Sequence, residues 1–125
     1  MFKNAADSQS RADKFVLDIL ENDQIYYLLQ PSGGIYACES HDGEEKENHA
    51  LVLPFWSKRY LPYAKKYGEG LTISQMSLDE FFNQLLPSMI KDNIFVGLNW
   101  DHLGFGREIE PSLLYKQIHE KMNGA

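Results

Sequence analysis

Large apolar side chains recur along residues 93–101 with the two-residue period of a β-strand. One predicted face carries four large apolar side chains, Ile94, Val96, Leu98 and Trp100. The opposite predicted face carries Phe95, Gly97 and Asn99. Because both faces hold apolar groups, we expect an interior strand that lies between covering layers. Gly97 leaves a gap in its face, so a neighbouring side chain or backbone segment should come close at this position.

Three other segments repeat apolar residues at the three- and four-residue spacing of an amphipathic helix. These helices are predicted over residues 8–21, after Ser77 and from Pro111. In the first helix, four charged residues fall outside the apolar stripe: Arg11, Lys14, Asp18 and Glu21. Ser77 and Glu80 have the spacing of a capping box, in which each side chain accepts a hydrogen bond from the other residue's backbone amide. Pro87 is predicted to end, kink or restart the second helix.

Five shorter segments are predicted to be strands because β-prone residues lie between turn-forming residues. Residues 24–30 and 35–39 flank the sequence Pro-Ser-Gly-Gly, which predicts a β-hairpin. Residues 50–56 contain Pro54, which has no backbone N–H, so this strand should lie at a sheet edge or end at the proline. The other two predicted strands are residues 71–76 and residues 105–110, the latter being the second arm of another hairpin.

The order of these elements predicts the fold class. A helix, a hairpin, a strand, a helix, a strand, a helix, a hairpin and a helix follow one another without a linker or an internal repeat. We therefore expect a single α+β domain over residues 1–125, with a mainly antiparallel sheet of about five to six strands covered by three to four helices. Residues 1–7 and 123–125 are expected to fray, and the acidic segment 40–49 is expected to be a mobile loop.

Charge and cysteine content narrow the possible partners. The 125 residues carry 18 acidic and 12 basic side chains, a formal net charge of -6, which disfavours nucleic acid as a partner. Cys38 is the single cysteine, so an intramolecular disulfide is excluded, and we expect a small buried hydrophobe at this position. The sequence has no signal-peptide pattern and no apolar run of about 20 residues, so we expect a cytoplasmic protein without membrane contact.

No cofactor or metal is predicted. His41, Asp42 and His49 lie in the acidic segment, but their spacing matches no compact metal motif. The sequence Gly-Phe-Gly at 104–106 suggests a dinucleotide fingerprint, yet Ile109 occupies the place of the third glycine and no strand-turn-helix unit surrounds it.

Several short blocks of sequence together resemble a known family. They are LPFWS at 53–57 followed by a Tyr-rich helix, LDEF at 78–81, LP at 86–87 and VGLNWD at 96–101. This pattern, which covers the chain from about Phe15 onward, resembles the bacterial family catalogued as domain of unknown function 2750. The resemblance implies a small one-domain α+β protein of the bacterial cytoplasm and implies no activity, cofactor or catalytic residue. Two residues depart from the family pattern, namely Ser57, where a proline is common, and Pro62 inside the next helix, so the geometry of that helix is expected to differ locally.

The segment 55–67 is the main candidate for a binding surface because it interleaves aromatic and basic side chains. Within it, Ser57 is predicted to cap a helix toward Tyr67, and because of Pro62 either the first turn of that helix is irregular or its regular part begins near Pro62. An alternative interpretation is a core-facing aromatic stripe with a solvated basic face. Together with the end of the predicted interior strand, the candidate binding residues are Trp56, Arg59, Tyr60, Asn99, Trp100, Asp101 and Arg107.

These candidates favour a non-enzymatic binding or regulatory module that engages an unknown protein or small-molecule ligand, as a monomer or a homodimer. No catalytic residue is assigned. One alternative is a small enzyme with an acid/base site formed by Asp101, His102 and Arg107 at the end of the interior strand. Another alternative, based on small size and acidic composition, is an immunity-type accessory protein that neutralises a basic partner.

Overall fold

The computed structural model describes residues 5–40 and 51–124. Its helical segments are α1 (Ala5–Asn22), a 3-10 turn (Lys58–Tyr60), α2 (Leu61–Tyr67), α3 (Leu78–Glu80), a π-helical turn (Phe81–Leu85), α4 (Leu86–Asp92) and α5 (Pro111–Met122). Its strands are β1 (Ile25–Leu29), β2 (Cys38–Glu39), β3 (Leu51–Ser57), β4 (Thr72–Met76), β5 (Phe95–Leu98) and β6 (Arg107–Ile109). Most of the predicted acidic loop, including His41, Asp42 and His49, lies outside the described residues.

The six strands form one mixed sheet in the order β4-β1-β3-β5-β6, with β2 beside β3. Four pairings are antiparallel, whereas β3 and β5 run parallel. A parallel neighbour requires a long crossover, and the chain between β3 and β5 supplies it through α2, β4, α3 and α4. The predicted single α+β domain is therefore confirmed, and its mainly antiparallel sheet contains one parallel pair.

The two faces of the sheet bury different groups of side chains. On one face, α1, α3, α4 and α5 cover the larger core, whose fully buried members include Phe15, Ile19, Phe55, Phe81, Val96 and Leu114. On the opposite face, α2 covers the smaller core, formed by Leu28, Val52, Trp56, Ala64 and Trp100. Along β3 these assignments alternate residue by residue, as expected for a strand covered on both sides.

Strand β5 is interior, as predicted, because β3 and β6 pair with it on its two sides. The predicted division of its side chains is wrong at Trp100, which packs in the smaller core instead of beside Val96 and Leu98. Asn99 has a positive φ of 51°, which interrupts the extended backbone and sends the next side chain to the other face. The Trp100 ring then covers Gly97, where an added Cβ would lie 2.6 Å from ring carbon Cε2, so the predicted close approach is confirmed.

The predicted first hairpin is not completed. Its turn is present, since the backbone N–H of Gln30 donates to the carbonyl of Gly34 at 2.8 Å and Leu29 bridges to Ile35. However, β2 pairs with β3, and so does β1, in both cases antiparallel. Strands β1 and β2 therefore run in the same direction along one edge of β3. The residues between them form the turn and leave a gap in the pairing with β3.

The gap between β1 and β2 along this edge of β3 explains how the sheet accommodates Pro54. The prediction that the strand containing Pro54 lies at a sheet edge or ends at the proline is wrong, because β3 lies in the middle of the sheet and continues to Ser57. Strand β3 pairs antiparallel with β2 through its residues Leu51 and Val52, and with β1 through its residues Trp56 and Ser57. Pro54 falls between these two pairings and has Gly97 as its parallel neighbour. The missing N–H thus coincides with the gap in the adjacent edge.

The helix termini follow local signals. The capping box is confirmed, since Ser77 Oγ accepts a hydrogen bond from the Glu80 amide at 3.1 Å and Glu80 Oε1 accepts one from the Ser77 amide at 3.5 Å. Pro87 does not end the helix, because the π-helical turn before it allows helical backbone to continue to Asp92. Helix α2 begins at Leu61 with Pro62 in its first turn, which matches the second of the two predicted alternatives.

Candidate functional site

A buried polar cluster joins α1 to the ends of β3 and β5. It consists of Arg11, Asp18, Ser57, Arg59 and Asn99, and we call it the polar junction. All of its members except Arg59 are buried. A buried polar group is costly unless it is hydrogen-bonded, so the partners of each member determine whether the junction is stable.

Arg11 fixes the chain after β5 to α1. Its Nε donates to the carbonyl of Asn99 at 2.8 Å, and its Nη2 donates to the carbonyl of Phe105 at 2.8 Å. Asp7, one turn earlier on α1, forms an ion pair with the same guanidinium. The Arg11 side chain also lies over the ring of Tyr63, with its Cζ 5.9 Å from the ring centroid. The Arg11 side chain therefore connects α1 to the end of β5, to the loop that follows β5 and to α2.

Asn99 is suited to this position in both backbone and side chain. Asparagine tolerates the left-handed conformation better than most residues. Its Oδ1 accepts a hydrogen bond from the Ser57 amide at 2.8 Å, and its Nδ2 donates to the carbonyl of Arg11 at 2.9 Å. The side-chain amide thus connects the end of β3 to α1 at the point where β5 turns.

Asp18 accepts three hydrogen bonds. Ser57 Oγ donates to it at 2.9 Å, and Arg59 donates through Nε at 3.0 Å and through Nη2 at 2.9 Å. Burial by itself raises the pKa of the Asp18 carboxyl, but the hydrogen bonds from Arg59 and Ser57 and the charge of Arg59 outweigh it, so the pKa lies below the ordinary value. Asp18 is therefore a structural anion that is ionised at neutral pH.

The loop after the polar junction is closed by Asp101. Its Oδ1 accepts hydrogen bonds from the amides of Leu103 at 2.9 Å and Phe105 at 3.0 Å. The loop packs on α2 at Gly104, where an added Cβ would lie 2.8 Å from Tyr67 Cε1. This geometry directs two apolar side chains outward, with Leu103 65% and Phe105 54% exposed. An ordered loop that exposes large apolar groups is a candidate contact surface.

Aromatic and basic side chains continue from this loop onto α2. The rings of Tyr60 and Tyr63 stack at 5.7 Å, and Tyr63 lies 6.2 Å from the His102 ring. The same segment carries four exposed basic residues, Lys58, Arg59, Lys65 and Lys66, of which Arg59 is paired with Asp18. The two tyrosines and these four basic residues, with His102 and Leu103, form what we call the basic aromatic surface. Of the candidate binding residues predicted from the sequence, this surface contains Arg59 and Tyr60, and its loop residues His102 and Leu103 directly follow Asp101.

Of the other predicted binding residues, four are buried in the fold and only Arg107 is exposed. Trp56 and Trp100 are buried, with Trp56 Nε1 donating to the carbonyl of Trp100 at 2.8 Å and Trp100 Nε1 donating to the carbonyl of Arg107 at 3.1 Å. Asn99 and Asp101 are buried as well. Arg107 is exposed on β6, where it donates to Gln9 of α1. Their bonds give Trp56, Trp100, Asn99 and Asp101 evident structural roles.

The three residues of the alternative acid/base site have separate partners. The Asp101 carboxylate accepts amides of its own loop, the His102 ring lies near Tyr63, and Arg107 donates to Gln9. An acid/base site requires its groups to reach one reacting atom. Instead, Asp101 binds the backbone of its own loop, His102 lies in the basic aromatic surface beside Tyr63, and Arg107 contacts α1 through Gln9.

Sequence reasoning missed Arg11 and Asp18, which were assigned outside the apolar stripe of α1. That assignment is wrong, because both side chains are buried. Arg11, Phe15 and Asp18 occupy positions i, i+4 and i+7 of the helix, so the two charged residues share a face with a core residue. A pair of opposite charges on an apolar helical face was the available signal, although it did not identify their partners.

Cys38 is half-buried near Tyr36 and Tyr67, whose hydroxyl groups lie 3.0 Å apart. Burial and the negative charge of Glu108 raise the pKa of the Cys38 thiol, despite hydrogen bonds from the two tyrosines that act in the opposite direction. The thiol form is unreactive compared with the thiolate. Cys38 was expected to be a small buried hydrophobe, and the structure shows it half-buried beside two tyrosine hydroxyl groups.

Across residues 5–40 and 51–124, no three His, Cys, Asp or Glu side chains are grouped as metal ligands. Among the helices within these ranges, none has the length and apolar character required to cross a bilayer.

Comparison with known proteins identifies the family. The family model described as "Protein of unknown function (DUF2750)" matches residues 12–118. The chain belongs to this family. The match covers α1 from Ala12, the whole sheet and α5 to Ile118, so it includes most of the polar junction and the basic aromatic surface. No curated protein and no solved structure matches the chain significantly.

Proposed function

We propose that this DUF2750 protein is a non-enzymatic binding module that engages an acidic, partly apolar surface of a partner protein through its basic aromatic surface. The observation that carries the proposal is Leu103, a large apolar side chain that is 65% exposed on a loop fixed by hydrogen bonds. A contact residue that is already ordered loses less conformational entropy on binding.

The charge distribution supports an acidic partner. The chain as a whole has a net charge of -6, yet residues 58–67 contain four of its 12 basic residues and no acidic residue. Opposite potentials across an interface accelerate association and select against partners of the wrong charge. A basic surface on an acidic protein therefore favours an acidic partner at this site.

The chemistry of the exposed rings supports a protein partner. Tyr60 and Tyr63 stack on each other, and His102 extends the same group of rings. Tyrosine and arginine are enriched among the residues that contribute most to protein interfaces. The resemblance noted in the sequence and the single cysteine support a bacterial cytoplasmic setting as part of the same proposal.

Panning the biotinylated protein against a random-peptide display library tests the proposal. We expect enriched peptides that combine Asp or Glu with Leu, Phe or Trp. Their affinity should fall about tenfold or more in a Lys65→Glu/Lys66→Glu variant, because two favourable charge contacts become repulsive. A Leu103→Ser variant should weaken the same peptides.

The matched control is Lys91→Glu/Lys116→Glu, which changes the net charge equally at exposed positions on α4 and α5. Circular dichroism confirms that each variant is folded. The proposal is rejected if the enriched peptides have no acidic bias, if no peptide is enriched, or if the control weakens binding as much as the Lys65/Lys66 variant.

A further inference from the structure

We propose a second binding site, in a groove between α1 and α5, for a basic amphipathic helix of a partner protein. This groove lies on the larger-core side of the sheet, whereas the basic aromatic surface lies on the smaller-core side. The inference does not rest on the function proposed above, because the two sites share no residue.

Two adjoining cavities form the groove. One, of about 450 Å³, lies between Val16 and Leu17 of α1 and the last turns of α5. The other, of about 330 Å³, continues toward Ile109 of β6 and Leu113 of α5. Both are lined by Ala12, Asp13 and Gln117, so the groove is continuous. Ala12 is a small residue on α1, which leaves space that a larger side chain would fill.

Exposed apolar side chains border the groove. Leu17 is 53% exposed and Leu113 is 48% exposed, and both line the cavities. From Gln9 to Leu17 the wall provided by α1 is about 12 Å long, which corresponds to about two turns of a bound helix. The apolar side chains in this mixed groove can contact residues spaced at i, i+3 or i+4, and i+7 on one face of a helix.

The charges of the lining residues determine the polar face of the occupant. Four of them are acidic, namely Asp13, Glu108, Glu110 and Glu120, and two are basic, namely Arg107 and Lys121. Asp13, Glu110 and Glu120 are exposed, so they are available to flanking cations. Lys or Arg residues beside the apolar anchors complement this excess of acids. The geometry and charge therefore select a helix with a leucine-rich face and a basic face.

A synthetic helical peptide made of Leu and Lys, with Leu at the anchor positions, is the probe. Fluorescence anisotropy of the labelled peptide measures its affinity for the full chain. Two peptides serve as comparisons: the same Leu pattern with Glu in place of Lys, and a scrambled sequence of the same Leu and Lys composition. We expect the patterned Leu/Lys peptide to bind at least about tenfold more tightly than either comparison.

Variants of exposed residues locate the site. Asp13→Lys/Glu120→Lys should weaken the patterned peptide about tenfold or more, and Leu17→Gln should weaken it without a change in net charge. The control variant is Glu69→Lys/Asp92→Lys, which reverses the same number of exposed charges outside the groove. This control should leave the affinity within about twofold.

Three results would overturn the inference. The first is equal binding of the patterned and scrambled peptides, and the second is an equal loss of affinity in the groove and control variants. The third is an NMR titration in which the peptide changes the backbone amide chemical shifts of residues 58–66 instead of those of Ala12 and Gln117. Loss of peptide binding to the Lys65→Glu/Lys66→Glu variant is not expected, so that variant separates the two sites.

Discussion

Phe81 on one face of the sheet and Trp100 on the other are both buried, but their surroundings hold them differently. Phe81 is surrounded by apolar groups, with the rings of Phe15 at 6.1 Å and Phe55 at 5.1 Å in edge-on contact. Trp100 packs beside Tyr67 at 5.9 Å, and its indole N–H donates to the carbonyl of Arg107. The larger core is therefore specified mainly by shape and apolar area, whereas the smaller core also depends on directed hydrogen bonds.

This difference shows why the polar junction is required. Trp100 reaches the smaller core because the backbone reverses at Asn99, and that reversal is held by Arg11 and Ser57. The larger core receives its side chains from regular helices and strands that need no such support. Changes at the junction should consequently disturb the smaller core and the basic aromatic surface before they disturb the larger core.

Removal of the Trp100 side chain is expected to give the largest effect. Trp100→Ala should lower the free energy of unfolding by about 4 kcal/mol, because it removes a buried aromatic ring and leaves a cavity between the sheet and α2. Urea denaturation followed by far-UV circular dichroism measures this loss. Phe81→Ala is the matched change in the larger core and should cost a similar amount.

Gly97 distinguishes the two cores within the same experiment. Gly97→Ala should cost about 2 kcal/mol in the natural sequence, because its Cβ would overlap the Trp100 ring. In the Trp100→Ala background the new methyl group enters vacated space, so its cost should largely disappear, whereas in the Phe81→Ala background it should remain. Additive costs in both backgrounds would contradict the contact between Gly97 and Trp100.

Substitution of Asn99 separates its backbone role from its side-chain role. Asn99→Ala should lower the free energy of unfolding by about 3 kcal/mol, since it leaves the buried Ser57 amide without its side-chain acceptor, removes the hydrogen bond to the Arg11 carbonyl and places alanine at a positive φ. Asn99→Gly removes only the backbone penalty and should recover about 1 kcal/mol. Thermal unfolding of both variants provides the comparison; equal stability of the two would show that the positive φ is not maintained.

The effect at Asp18 is smaller and depends on pH. The folded-state pKa of Asp18 is lowered from its ordinary value of 3.8, so the ionised carboxylate stabilises the fold above about pH 4 and this contribution is lost as the pH falls through the folded-state value. Asp18→Asn should cost about 1 to 2 kcal/mol near pH 7, and less near pH 3. Urea denaturation at several pH values tests this, and a cost that does not change with pH would argue against the pairing with Arg59.

Much of the fold was encoded in short stretches of sequence. The capping box at Ser77, the start of α5 at Pro111 and the interior position of β5 depend on residues within about one or two helical turns or strand repeats, so periodicity and capping chemistry suffice to predict them. The family resemblance, which rests on several short blocks, was confirmed for the same reason. Arg59 and Tyr60 were selected as candidates on the same local basis, because their segment is distinctive, and their role in binding stays a prediction.

The tertiary structure alone decided the position of Pro54, the orientation of Trp100 and the burial of Arg11 and Asp18. In each case the deciding partner is distant in the sequence: Arg11 bonds to a carbonyl 88 residues away and Asp18 to an arginine 41 residues away. A proline is tolerated in a central strand only if its neighbour is interrupted there, and a buried charge only if another segment satisfies it. Such compensation arises when separate segments pack together, so the local pattern of either segment does not contain it.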